Sequence, residues 1–121
     1  MISITVIDAP HTTSYSVEWR EGMNGVDAME ALHTTNKEFT YELAGDDFIT
    51  MINGKYESEG SSNPFYYWEI LYNGIYSSVG IHDIQLKDED QLTFEYTIYD
   101  PSHHPESLIH SRYNRLKNQQ S

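Results

Sequence analysis

Within the first hundred residues of this chain, one segment changes period. In "GMNGVDAMEALHTT" the apolar residues Val26, Met29 and Leu32, with Ala28 and Ala31 beside them, recur every three to four positions, which is the spacing of one buried stripe on an α-helix. Asn24 stands where an N-cap belongs, with Asp27 three residues on, so the spacing predicts a helix over about Met23–Thr35. The surrounding runs read as strands. "MISITVID" sets Ile2, Ile4 and Val6 on one face against Ser3 and Thr5 on the other, and "YSVEW" is a candidate second strand. "KEFTYEL", "DDFITMINGKYE", "FYYWEILYNGIY" and "DQLTFEYTIYD" follow, each bounded by Gly, Asn, Asp or Pro. Several strands with a single helix cannot build alternating β-α-β units. The economical solution is an α+β fold, a mixed sheet packed on one main helix.

Two of these runs contain Asn-Gly, at Asn53-Gly54 and Asn73-Gly74, a pair that favours tight hairpin turns. Alternation then sorts the strand before the second turn. Tyr66, Trp68, Ile70 and Tyr72 point one way, and Tyr67, Glu69 and Leu71 the other. The Trp68 set is expected under the helix, which leaves Tyr67 and Leu71 on an open face beside Glu95 and Tyr99. The expected core is Ile2, Ile4, Val6, Val26, Met29, Leu32, Trp68, Ile70, Phe94, Tyr96 and Ile98.

Charge narrows the partners. The chain has 121 residues, a formal net charge of −12 and no cysteine. A body this acidic repels phosphate backbones, so neither nucleic acid nor an anionic membrane is an expected partner. Without cysteine there is no disulfide, thiolate nucleophile or thiolate metal site. The length suits one domain. "MISITVIDAP" has neither the basic start nor the apolar run of a signal peptide, so the expected location is cytoplasmic, or exported if a leader has been removed.

The motifs together carry a resemblance. Tyr67-Trp68-Glu69-Ile70 with Tyr72-Asn73-Gly74, then Val79-Gly80-Ile81, then Leu86-Lys87-Asp88-Glu89-Asp90-Gln91-Leu92, resemble the C-terminal β-grasp domain of transcobalamin and intrinsic factor and its bacterial relatives of unknown function. "GMNGVDAMEAL" is similar to that family's helix and "GDDFITMING" to its strand before a glycine turn, so the likeness runs from Met1 to Tyr99. Glu89 stands where the family usually has glycine between two acids, so either that turn avoids positive φ or Glu89 bears the strain. The resemblance implies a β-grasp domain at 1–100. It places the ligand-facing surface on the 63–66 approach to the tryptophan strand and on the 75–79 loop, hence on Phe65, Tyr66, Tyr76, Ser77 and Ser78, with Trp68 as either a contact or core.

A flat, largely apolar or amphipathic small molecule suits aromatic faces with hydroxyl edges. In the vitamin carriers this domain closes over a corrinoid against a large helical domain, for which this chain has no room. A cobalamin-like ligand would therefore need a partner chain or a homodimer to supply a second wall. No cofactor is otherwise expected.

Residues 101–121 form an extension beyond the resemblance. Pro105 begins a stripe of Leu108, Ile109, Tyr113 and Leu116, with Arg112, Arg115 and Lys117 late in the segment, which reads as a short C-terminal helix near Pro105–Lys117. Asp100, His103 and His82 are the acid-base groups to consider if the chain is an enzyme. The histidine spacing matches no metal motif, so no metal site is expected. Three functions follow: a small-molecule binding module, which the aromatic loops favour; a small enzyme of cyclase, isomerase or hydration type; or a protein-interaction domain using the Tyr67/Leu71/Tyr99 face or an edge strand.

Overall fold

The computed structural model describes residues 1–45, 47–59, 62 and 64–99. The expected C-terminal helix, Asp100 and His103 lie outside the described residues. Strand β1 (Ile2–Asp8) folds back through Ala9-Pro10, a cis peptide, into β2 (His11–Val17). Helix α1 (Gly25–Thr35) begins at a capping box: Asp27 N–H donates to Asn24 Oδ1 at 2.9 Å and Asn24 N–H to Asp27 Oδ2 at 3.0 Å. Two of the helix's unsatisfied N-terminal donors are thereby paired.

Strands β3 (Tyr41–Ala44), β4 (Phe48–Ile52) and β5 (Lys55–Tyr56) make a small antiparallel sheet. Strands β6 (Tyr66–Tyr72) and β7 (Ile75–Tyr76), a single 3-10 turn at Ile81–Asp83, and β8 (Gln91–Ile98) complete the described chain. The main sheet runs β2-β1-β8-β6-β7. Its first and last strands meet at the centre in parallel, with Ile4 opposite Leu92, and every other pair is antiparallel. This is the expected α+β arrangement of a mixed sheet on one helix.

Both Asn-Gly pairs turn hairpins, with φ of 52° at Asn53 and 50° at Asn73. The core lies between α1 and the inner sheet face, where Ala28, Met29 and Leu32 meet Ile2, Ile4, Leu92, Phe94, Trp68 and Ile70. Val26 and Tyr96 are only partly buried against it.

Two expectations are corrected. Ile98 is 45% exposed, because it sits at the end of β8 beyond the span the helix covers. Tyr67 is fully buried instead of lining an open face. It clusters with Phe65 and Tyr99, and its hydroxyl donates to Glu69, itself 3% exposed. Burial first, then the bond to Glu69, pushes the Tyr67 phenol far up, so that it stays protonated.

Glu89 adopts φ +74°. A residue with a Cβ pays for this left-handed conformation, whereas glycine does not. Glu89→Gly is therefore expected to stabilise the protein by about 0.5–1 kcal/mol in urea unfolding despite glycine's greater unfolded-state entropy.

Candidate ligand groove

The β6–β7 hairpin has a two-residue return strand, with Leu71 opposite Tyr76 and Tyr72 opposite Ile75, extended by one bond from Ser77 N–H to Ile70 O at 2.8 Å, a short ladder that would be marginal alone in water. Asp90 fixes it from outside. This carboxylate, 8% exposed, accepts from Tyr72 Oη at 2.5 Å, Asn73 Nδ2 at 3.1 Å and Lys87 N–H at 2.8 Å. Asn73 closes the ring, since its Oδ1 accepts from Gln91 N–H and its own N–H donates to Gln91 O, both at 2.8 Å. Burial alone would raise the Asp90 carboxyl, but the bonds from Tyr72, Lys87 and Asn73 outweigh it and hold it below the usual carboxylate range. The same bond to Asp90, reinforced by burial, pushes the Tyr72 phenol up to about 12.

The 3-10 turn forms the opposite bank. A Cβ added at Gly80 would lie 2.7–2.8 Å from Asp47 backbone and Cβ atoms, and Ile81 N–H donates to Asp47 O at 3.2 Å. On its other side Gly25 packs so closely on Ile81 that a Cβ there would come within 2.5 Å of the Ile81 carbonyl. Glycine at both positions lets the turn wedge between α1 and β4.

Between hairpin and turn lies an open groove of about 320 Å³. Tyr72, Ile75, Tyr76, Ser77, Ser78 and Val79 line the hairpin side, and Asp83, Ile84 and Gln85 the turn side. Ile75, Tyr76 and Val79 are 73%, 47% and 42% exposed, a rim of large apolar side chains in a strongly acidic chain. The Ser77 hydroxyl is committed locally, donating to Val79 O at 2.7 Å and accepting from Val79 N–H at 3.2 Å.

The expected ligand residues are not gathered in one place. Tyr76, Ser77 and Ser78 border the groove, but Tyr76 stands opposite Leu71, on the sheet face of Tyr67, whose phenol it acts on. Tyr66 begins β6, at the far end of the strand, 40% exposed and stacked on Tyr96 with centroids 5.7 Å apart. Phe65 is buried with Tyr67, and Trp68 is in the core, its Nε1 donating to Lys55 O at 2.9 Å. Asn63 is outside the described residues. His82 is exposed with Nδ1 3.5 Å from Asp83 Oδ1, and of that pair only Asp83 lines the groove. Asp83, Ile84 and Gln85 carry no sequence motif and reach the site through tertiary packing alone. Among the described residues no cluster of three or more metal-ligating side chains occurs, and no helix is long and apolar enough to cross a membrane.

Fold and groove define the class: a small α+β domain with a ligand-sized cleft at one sheet edge. The chain belongs to the family described as a domain of unknown function, DUF4430, whose sequence model matches residues 23–97. Among solved structures it is similar to haptocorrin, in a crystal structure in complex with Cbi, with a TM-score of 0.68 and 22% identity over 82% of this chain. The match takes in 25% of the haptocorrin chain. It is also similar to a candidate metal-binding protein of Ruminococcus gnavus ATCC 29149, with a TM-score of 0.54 and 13% identity, covering 82% of this chain and 97% of that one. At these identities the likeness is one of fold. A search of curated proteins finds no significant match.

The hairpin anchor is testable through its titration. Asp90 has a folded value below its unfolded one, so its contribution is present above the unfolded carboxylate range and is lost as pH falls through the folded value. Tyr72 has a raised folded value, so its contribution is present below the ordinary tyrosine range and is lost as pH rises towards about 12. Asp90→Asn is expected to cost about 1–3 kcal/mol at neutral pH and to flatten the acid limb of the stability profile. Tyr72→Phe should flatten the alkaline limb. Unchanged limbs in chemical denaturation across pH would contradict the anchor.

Proposed function

We propose that this chain is a small-molecule binding module that receives one face of a flat, amphipathic ligand in the groove between the β6–β7 hairpin and the 3-10 turn. The observation that carries the reading is the exposed apolar rim of Ile75 and Val79 on a hairpin held by Asp90. Exposed apolar groups held in place before a ligand arrives lose little freedom on binding, and the desolvation of their surface favours the complex. Ile75 and the Tyr72 ring, opposite each other on one face of the hairpin, offer apolar contact area, while the Ser78 hydroxyl, the Gln85 amide and the Asp83 carboxylate offer polar edges.

The likeness to haptocorrin supports the choice of ligand class, a transcobalamin-like half-site for a corrinoid or a similarly flat ring. A groove of about 320 Å³ is at the small end of the roughly 300–1,000 Å³ of enclosing pockets and is open on one side. It fits one face of such a ring and leaves the other for a second wall, from a partner chain or a second copy.

The test is the affinity of wild type, Ile75→Ala and Tyr66→Ala for a corrinoid and for a sulfonated porphyrin, with thermal stability measured alongside. Ile75→Ala should weaken binding by about 1–3 kcal/mol at unchanged stability, and Tyr66→Ala should leave it alone. Equal losses in both variants, or none in either, would overturn the assignment.

A further inference from the structure

A larger groove, about 560 Å³, lies at the other edge of the main sheet, between α1 and β2. Ser16, Val17 and Glu18 line its strand side, and Asp27, Glu30 and Thr34 its helix side. Strand β2 is an edge: among the described residues it pairs only with β1, over seven consecutive partners without a bulge. Edge strands are usually blunted by lysine, proline, a bulge or short length. "HTTSYSV" has none of these, and His11 to Ser14 are exposed. In an antiparallel pair, alternate residues of the outer strand turn their N–H and C=O groups away from the partner. Here a regular row of such groups runs beside a groove.

We propose that β2 and this groove dock an extended, basic segment of a partner protein, which pairs with the β2 backbone as a sixth strand and sends alternate side chains into the groove. The sign of the partner follows from the lining. Glu18, Asp27 and Glu30 outnumber the two cations of the lining, Arg20 and the Met1 ammonium, and the latter is already paired with Asp88 at 2.6 Å, in a chain of net charge −12, so a cationic segment is attracted and an acidic one repelled. Two of the acids are positioned in advance: Asp27 Oδ2 accepts from Asn24 N–H, and Glu30 Oε2 accepts from Tyr41 Oη at 2.6 Å. A second copy of this chain would bring the same charge and is disfavoured as the occupant. The β2 edge and the hairpin edge are opposite ends of the sheet, so both sites can be filled at once.

The experiment is an amide chemical-shift titration of the full chain with the blocked heptapeptide Lys-Thr-Lys-Thr-Lys-Thr-Lys and its glutamate counterpart. The basic peptide is expected to shift amides in 11–18 and 27–35, leave 72–79 unmoved, and bind in the submillimolar to millimolar range. Methylating alternate peptide nitrogens should abolish binding in one phase and preserve it in the other, a signature that charge attraction alone lacks. Glu18→Lys, at an exposed position, should weaken binding about tenfold. The proposal is overturned by silence up to about 5 mM, by equal binding of the glutamate peptide, by indifference to the methylation phase, or by a β2-mediated dimer without peptide.

Discussion

The hairpin end of the main sheet depends on one carboxylate. Asp90 gathers the Tyr72 hydroxyl, the Asn73 amide and the Lys87 backbone N–H around a nearly buried group, and it ties the end of β6 to the start of β8. A buried carboxylate is tolerable only when donors replace its lost water, so the group requires the geometry that it enforces. Without it, the tip would rest on the short β6–β7 ladder and the bond that extends it, from Ser77 N–H to Ile70 O at 2.8 Å. With it, an apolar hairpin tip is tied to the start of β8.

The opposite bank of the groove arises from packing. The parallel β1–β8 pair places the two ends of the described chain side by side at the centre of the sheet. The helix and the small sheet must then pack against the connection that carries the 3-10 turn. Gly25 and Gly80 permit backbone approaches there that any side chain would block. The groove thus joins a hairpin fixed by hydrogen bonds to a turn fixed by steric fit, and little rearrangement is needed before a ligand arrives.

Much of this fold was legible in the sequence because it is written in short-range chemistry. The period of Val26, Met29 and Leu32, the Asn24–Asp27 box, the alternation of Ile2, Ile4 and Val6, and both Asn-Gly turns are local signals, and each has the structure its chemistry demands. Alternation also separated the two faces of β6 correctly but could not say how each was covered, so Tyr67 was expected on an open face when it is buried. The hairpin bank of the groove, Tyr76 to Ser78, coincides with the loop to which the family resemblance points. Its other bank did not, because Asp83, Ile84 and Gln85 reach it only through long-range packing. Nor did the separation of Tyr66 from Tyr76, which depends on how far the hairpin travels along β6.

The proposed function requires that a flat ligand be received at the hairpin groove. Methyl-resolved NMR of isoleucine-labelled protein during titration with a corrinoid tests it most directly, because these methyls sample both ends of β6. Ile75 and Ile84 flank the groove, whereas Ile98 is exposed opposite Tyr66 at the other end of that strand. The prediction is saturable shifts at Ile75 and Ile84 with Ile98 unmoved. Shifts at Ile98 with Ile75 and Ile84 silent would contradict it.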